Sequence, residues 1–315
     1  MLRYILRKLT VFLISLLVSS LVIFAVLEVI PGDPAQFMLG IGATEATLAA
    51  LRDELGLDAA PHERYLNWIG GMLRGDFGIS YTYRTPVIET VLERLTVSLP
   101  LAVMALGLVL LLAPILAILA AHHRGRLTDR MISMMSQIGI AIPNFWLAIM
   151  MIHLFALTLG WFAAGGFSTW DQGLIPGLRA LILPAFALAI PQIVILTRIM
   201  REELVASLDQ DYIRTARAKG LSRLEALIRH GFRNALLPVL TILGMQFSFL
   251  IAGAIIIENV FALPGLGRLI FQAIAQRDLI MVESVVFLLV FAVMAVTLIV
   301  DLAHAIVDPR LRRQR

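Results

Sequence analysis

The 315-residue chain contains no cysteine and only two lysines, Lys8 and Lys219, and 15% of its residues are charged. The first absence excludes disulfides, thiolate metal sites, iron–sulfur clusters and cysteine nucleophiles. Scarcity of lysine excludes a P-loop, which ends in Gly-Lys followed by Ser or Thr, because Lys8 follows Arg7 and Lys219 follows Ala218. Whatever energy drives this protein is not captured by a P-loop ATPase site of its own. The low charge excludes a soluble globule, in which about a quarter of residues are charged. With 59% hydrophobic residues and a mean hydropathy of +0.88, lipid must be the solvent for most of the chain. Basic residues fall in short groups between apolar segments, which argues against a nucleic-acid surface.

What is present is a series of apolar runs, each long enough for a hydrocarbon core that takes about 20 helical residues to cross. They predict an all-α integral membrane protein of six transmembrane helices, since backbone in lipid must satisfy its own hydrogen bonds. The first is an anchor helix at 1–30, and the others lie at 95–121, 131–160, 180–200, 236–257 and 283–305 within a core of 95–306. Arg3, Arg7 and Lys8 before the first run also suit a secretory signal, but the run is too long and lacks a small-x-small site. Placing both termini inside puts eighteen basic residues on that side and eight on the other, so the positive-inside rule favours N-in, C-in.

Two connections are too long to be simple turns. The outer segment, 31–94, reads as helical: Thr44 can cap a helix through Leu48, Leu51 and Leu55 to Gly56, and another follows Pro61 through Tyr65, Trp68, Ile69 and Met72. It is a connector or a docking and gating element. The inner loop, 201–235, predicts two short helices. Asp209 or Asp211 can cap the first, Gly220 can end it left-handed, and Ser222-Arg-Leu-Glu225 reads as a capping box for the second. In that helix Leu224, Ile228, Gly231 and Ala235 share a face. Such a rigid protrusion suits a groove in another protein; the alternative is an interfacial helix whose arginines meet anionic headgroups.

The stretch Arg214-Thr-Ala-Arg-Ala-Lys-Gly220-Leu221, with His230 and Arg233-Asn-Ala-Leu-Leu-Pro238, resembles the cytoplasmic loop of permease subunits of bacterial ABC importers of the oligopeptide/dipeptide/nickel class. The similarity continues through Met1-Leu-Arg-Tyr-Ile-Leu-Arg-Lys8, Pro31-Gly-Asp-Pro34, Leu55-Gly-Leu-Asp58, Gly75-Asp-Phe-Gly78, Ile142-Pro-Asn-Phe-Trp146, Glu258-Asn-Val-Phe261, Pro264-Gly-Leu-Gly267 and Asp308-Pro-Arg310. Order and spacing resemble the first of the two permeases usual in such systems. One departure is that Arg214-Thr215-Ala216 stands where the general ABC-permease motif begins Glu-Ala-Ala.

The resemblance implies a type I ABC importer permease fold in the bacterial inner membrane. It implies half of a translocation pathway working by alternating access, completed by a second homologous permease, two ATP-binding subunits and a periplasmic or lipid-anchored substrate-binding protein. It assigns ATPase coupling to Arg214, Thr215, Ala216, Arg217, Ala218, Lys219, Gly220 and Leu221, and leaves ATP and Mg on the partner subunits, with no cofactor, metal or catalytic residue in this chain. Peptides are the leading solute class; nickel or metal chelates, glutathione and opine-like solutes are the alternatives.

Other residues invite weaker readings. Asn144, Phe145, Gln192, Gln246 and Phe249 are candidates to line the pathway. Pro184 and Pro191 are expected to bend the fourth span, and Gly244, Ser248 and Ala252 to admit a close helix neighbour. His153 is the one ionisable side chain well inside a span, read as a neutral imidazole bonded to a neighbouring helix. Gly265-Leu-Gly267 lacks the strand and third glycine of a dinucleotide loop. An ion-coupled secondary transporter would need a mid-membrane carboxylate or relay that is not visible, and a membrane scaffold or receptor is a second competitor.

Overall fold

A computed structural model describes residues 2–29, 32–40 and 42–307; the tail 307–315 lies outside the described residues beyond its first position, as do Pro31 and the Asp308-Pro-Arg310 motif. Among the described residues there is no strand, only an isolated bridge between Ile79 and Pro86. Five helices among the described residues are long and apolar enough to cross a membrane, and a bent pair, counted as one span, brings the number to six. The chain divides into two compact units: Leu2–Ser98 with Pro264–Ala295, and Leu99–Leu263 with the residues from Val296 onward. The expected partition into anchor, outer segment and 95–306 core therefore differs from the packing, because 264–295 clusters with the N-terminal third.

The first unit contains α1 (Leu2–Val29), α2 (Pro34–Leu39), α3 (Glu45–Glu54), α4 (Pro61–Leu73), the start of α5 (Val87–His122), α12 (Leu266–Ala275) and the start of α13 (Leu279–Val307). Thr44 caps α3 in a reciprocal box with Thr47, and Asp33 caps α2 while pairing with Arg52 at 2.9 Å. Helix α4 packs on α1 through aromatic rings, Phe24 meeting Tyr65 edge-on at 5.5 Å and Trp68 at 6.5 Å, and on α13 through Trp68, which meets Phe287 at 5.9 Å. Ser20 shares a hydrogen bond with the Tyr65 hydroxyl, and Glu28 pairs with Arg64. Elsewhere α1 leaves Leu13, Ile14, Leu17, Val18 and Val22 exposed, an apolar surface that only lipid or another apolar partner would cover.

The core of this unit is Val87, Val91, Leu266, Leu269, Ile270, Ala273, Met281, Val282 and Val285. Beside it lies a buried carboxylate, Asp278, which accepts from the Ser80 hydroxyl at 2.5 Å and from the backbone N–H groups of Tyr81, Thr82 and Met281 at 3.1–3.2 Å. One side chain thereby staples the loop after α4 to the first turn of α13. Tyr81 is buried with that loop, and burial, with the Glu283 carboxyl nearby, pushes its phenol up to about 12.

The second unit is organised around α8 (Leu174–Leu208), against which α6 (Leu127–Ala141), α7 (Asn144–Met151) and α11 (Phe232–Val260) pack. Pro184 and Pro191 are both buried within one continuous helix. The single span expected at 131–160 is instead a pair of helices bent by 106°. The cause is local: Ile142 is extended (φ −85°, ψ 124°), as the residue before a proline prefers, and Pro143 has no N–H to continue the ladder. After α7 the chain widens into a π-turn, Ile152–Thr158, in which the Thr158 hydroxyl donates to the His153 carbonyl at 2.9 Å. The His153 ring is exposed and makes no hydrogen bond among the described residues, contrary to the expected inter-helix contact. In α11 Gly244 lies against Val300, but Ala252 is exposed, so the expected small-residue stripe is only partly an interface.

Replacing Asp278 by Ala strips three buried donors, on Ser80, Tyr81 and Met281, and the partly buried Thr82 N–H of their acceptor, and buried groups cost about 1–3 kcal/mol each when orphaned. Asp278→Ala is expected to destabilise the outer segment by about 3 kcal/mol or more. Faster proteolysis in the loop 79–86 and a lower detergent melting temperature are the readouts; wild-type values for both would show that the staple is dispensable.

Candidate functional site

The inner loop is built from the end of α8, α9 (Asp211–Ala218), α10 (Arg223–Ala226) and a π-turn, Leu227–Gly231, that leads into α11. Neither aspartate caps α9. Gln210 is the capping residue and offers no side-chain bond; Asp209 instead pairs with Arg124 at 3.1 Å and Asp211 with Arg214 at 3.2 Å. The C-terminus follows expectation more closely. Gly220 has φ +94°, and Leu221 N–H donates to Ala216 O while Gly220 N–H donates to Arg217 O, the pair of bonds that closes a helix through a left-handed residue. No atom lies within 4 Å of a Cβ built at Gly220, so backbone conformation alone sets the requirement there.

The capping box is present in full: Glu225 N–H donates to the Ser222 hydroxyl at 3.2 Å and Ser222 N–H to the Glu225 carboxylate at 2.9 Å. The backbone bond from Ser222, reinforced by its side chain, holds the Glu225 carboxyl below its ordinary range. Ile213, Ala216 and Ala226 form a small core, with Leu208 and Leu221 packed against it.

The apolar face of the second helix is not the one its spacing predicts. An α-helical period groups Leu224, Ile228, Gly231 and Ala235, but the π-turn inserts an extra residue per turn and rotates the register. Ala226, Leu227, Gly231 and Ala235 are buried, whereas Leu224 and Ile228 are exposed. Gly231 is tightly packed, since a Cβ there would stand 2.8 Å from the Ser207 hydroxyl and 3.1 Å from Leu227 Cδ1, and one of those side chains would have to shift. Of the predicted coupling residues, Arg214, Thr215, Arg217, Ala218, Lys219 and Gly220 are exposed, Leu221 is half-buried, and Ala216 faces inward. The loop thus presents Tyr212, Leu224 and Ile228 as exposed apolar groups among basic ones.

A second anchor escaped sequence reasoning. Asp129 accepts from Arg201 Nε at 2.5 Å and Nη2 at 2.9 Å, and from Gly125 N–H at 2.8 Å. This bidentate pair, geometrically the strongest kind, joins the α5–α6 turn to α8 where the loop begins. Neither residue belongs to a recognisable motif, and 72 positions separate them.

The five pathway candidates divide. Phe145 and Phe249 are exposed and Asn144 is half-buried. Gln192 and Gln246 are withdrawn into the packing, 4% and 2% exposed, and neither Oε1 has a hydrogen-bond partner.

The comparisons accord with this architecture. A family model described as binding-protein-dependent transport system inner membrane component matches residues 113–313, and its N-terminal companion matches 1–102. The chain belongs to this family. It is 41% identical to a peptide transport system permease protein of Brucella abortus, over 94% of this chain and 95% of that one. It is 37% identical to the oligopeptide transport system permease protein AppB of Bacillus subtilis and 34% to the glutathione transport system permease protein GsiC of Salmonella typhimurium, each over 99% of both chains. The protein is accordingly an inner-membrane permease of the ABC importer type, with the all-α type I permease fold.

Two outcomes test the loop's construction. Asp129→Asn leaves the Arg201 guanidinium without a counter-charge. The cost is expected to be roughly 3 kcal/mol, the low end for a buried pair, because Arg201 keeps 25% of its side chain exposed. A melting curve of the purified variant checks it. Glu225 titrates below its unfolded-state value, so its capping contribution is present at neutral pH, above that value, and is lost as pH falls through the folded value. Hydrogen exchange at 222–226 should accelerate selectively on acidification into the carboxylate range, after correction for intrinsic rates, and Glu225→Gln should abolish that pH dependence.

Proposed function

We propose that this permease forms half of the translocation pathway of an ATP-driven importer of di- and oligopeptides, with N-in, C-in topology and the loop 201–235 as the cytoplasmic coupling element. The observation that carries this reading is the exposure of Tyr212, Leu224 and Ile228, and of Arg214, Arg217 and Lys219, in a loop whose first short helix closes at Gly220 and which leaves α8 beside Arg201, itself held by Asp129 of α6. Exposed apolar side chains among basic ones suit a protein groove, because apolar anchors supply binding energy and charges orient the encounter. A headgroup contact alone would not need a rigid corner.

In this reading two ATP-binding subunits bind ATP and Mg, close against each other, and drive the loop and α8 together. A second homologous permease completes the passage, to which Phe145 and Phe249 contribute exposed surface. A substrate-binding protein delivers solute on the side of the outer segment. Peptides are favoured as solute because the Brucella and Bacillus relatives are named for them; glutathione, named for the Salmonella relative, is the second reading. This chain contributes shape and force transmission and no chemical step.

Gly220→Trp and Ile228→Asp, assayed in proteoliposomes holding the complete complex, are expected to insert normally. Each should reduce ATPase stimulation by the loaded binding protein by at least about tenfold, as loss of an interface anchor does. Full stimulation in both variants would sink the docking assignment. Uptake of a labelled dipeptide in vesicles lacking the ATPases would instead favour ion-coupled transport.

A further inference from the structure

Arg94 is the last charged residue of α5 before its uncharged run, Leu95 to Ala121. One helical turn further on, the Ser98 hydroxyl accepts from the backbone N–H of Leu266 at 2.8 Å, which ties the first residue of α12 to α5. In the same unit lies a hollow of about 210 Å³ lined by Arg94, Pro264, Gly265, Arg268, Leu269 and Gln272. Its wall is almost wholly polar, and no carboxylate lines it among the described residues. Arg94 makes no hydrogen bond or ion pair among those residues: its Nε is buried without a partner, and its two terminal nitrogens, also unbonded, are not enclosed. The transport reading gives this hollow no role.

The lining side chains are donors. Guanidinium groups only donate, and Gln272 adds an amide that can. The carbonyls of Gly265 and Gln272 are already taken by the N–H groups of Leu269 and Gln276, and α12 opens at Gly265, where helix N–H groups carry partial positive charge. Two guanidiniums, one of them unmatched, call for an oxyanion, since a cation is repelled and a neutral solute leaves Arg94 without a counter-charge. The hollow is smaller than the about 300–1,000 Å³ of pockets that enclose a whole small molecule, so it takes one anionic group whose remainder lies outside. Placement favours phosphate. Arg94 stands at the end of a run long enough to cross a bilayer, the level at which basic pockets between helices meet lipid headgroups. Phe271 and Ile274, on the helix that carries Arg268 and Gln272, are 62% and 57% exposed, an apolar surface for the rest of an amphiphile.

We propose that this hollow is a binding site for the phosphate of an anionic phospholipid of the phosphatidylglycerol type, held by Arg94, Arg268 and Gln272. Guanidinium forks match phosphate oxygens in pairs. A glycerol headgroup suits the site better than a zwitterionic one, because no carboxylate lines the hollow to receive an ammonium. Bound there, the lipid bridges α5 and α12 and adds to the Ser98 bond that joins them. Binding is tested without transport, so its failure leaves the importer reading standing and the converse also holds.

The test is native mass spectrometry of the full-length chain, delipidated in nonionic detergent and titrated with dioleoyl phosphatidylglycerol or dioleoyl phosphatidylcholine. The first phosphatidylglycerol should bind at least about tenfold more tightly than phosphatidylcholine. Arg94→Gln/Arg268→Gln should erase that preference. Arg130→Gln/Arg229→Gln, which removes two exposed arginines of the second unit, should keep it. Equal affinity for the two lipids, an intact preference in the first double variant, or the same loss in both double variants would each overturn the assignment. Inorganic phosphate and a triglutamate peptide are added as competitors. Displacement of the lipid by phosphate at matched concentration would make the ligand a free anion, and displacement by the peptide would make it a protein carboxylate; either result overturns the lipid assignment. If Arg94→Gln/Arg268→Gln fails to fold, Gln272→Glu replaces it, since a carboxylate in the hollow repels phosphate. A loss of at least about tenfold in phosphatidylglycerol affinity is then expected, and no loss overturns the proposal.

Discussion

A backbone amide in hydrocarbon has no water to turn to, and the breaks within this protein's apolar runs are shaped by that constraint. The chain stays helical across its apolar runs, including through Pro184 and Pro191 in α8. Where it does break, other groups take up the freed bonds. At Pro143 the break falls where one N–H is missing by covalent structure, and the Pro143 carbonyl is taken up by Leu147 N–H as α7 starts. In the π-turn beyond α7, the Thr158 hydroxyl supplies a donor to the His153 carbonyl. Breaks of this kind are compatible with a moving pathway because they change direction without exposing unpaired backbone.

The same economy governs the connections. Each unit contains one buried aspartate that gathers several donors: Asp278 collects a hydroxyl and three backbone N–H groups, and Asp129 collects a guanidinium and a backbone N–H. A carboxylate is suited to this work, since it accepts in several directions and gains from charge assistance. Asp278 fixes a loop of the outer segment, and Asp129 fixes the base of the inner loop. In the proposed coupling, where the inner loop passes motion to a span, slack at such a joint would dissipate that motion.

The inner loop shows how local signals and packing divide the outcome. Ser222, Glu225 and Gly220 behave as their residue types require, since capping boxes and left-handed corners are satisfied by atoms within a few residues. Asp209 and Asp211 do not cap α9, because Arg124 and Arg214 draw both carboxylates into ion pairs. Leu224 and Ile228 turn outward because the π-turn resets the helical period at Leu227. That reversal converts what periodicity presents as a core face into the exposed apolar surface on which coupling is proposed to depend. The pathway candidates were similarly legible only as polar or aromatic residues in spans. Gln192 and Gln246 are buried within the chain, while Phe145 and Phe249 remain at its surface.

Composition and order of residues were sufficient for what depends on solvent and short range: an all-helical membrane protein, its apolar runs, the caps at Thr44 and Ser222, the corner at Gly220, the absence of a P-loop, and the family motifs. Tertiary structure alone decided what depends on residues far apart in the chain. It folded the run at 131–160 into two helices, grouped 264–295 with the N-terminal segment, paired Asp129 with Arg201, and placed Arg94 and Arg268 around one hollow. The physical reason is range, since capping and hydropathy act over one or two helical turns, whereas the pairing of a buried polar group is settled by whichever distant side chain the packing brings within 3 Å.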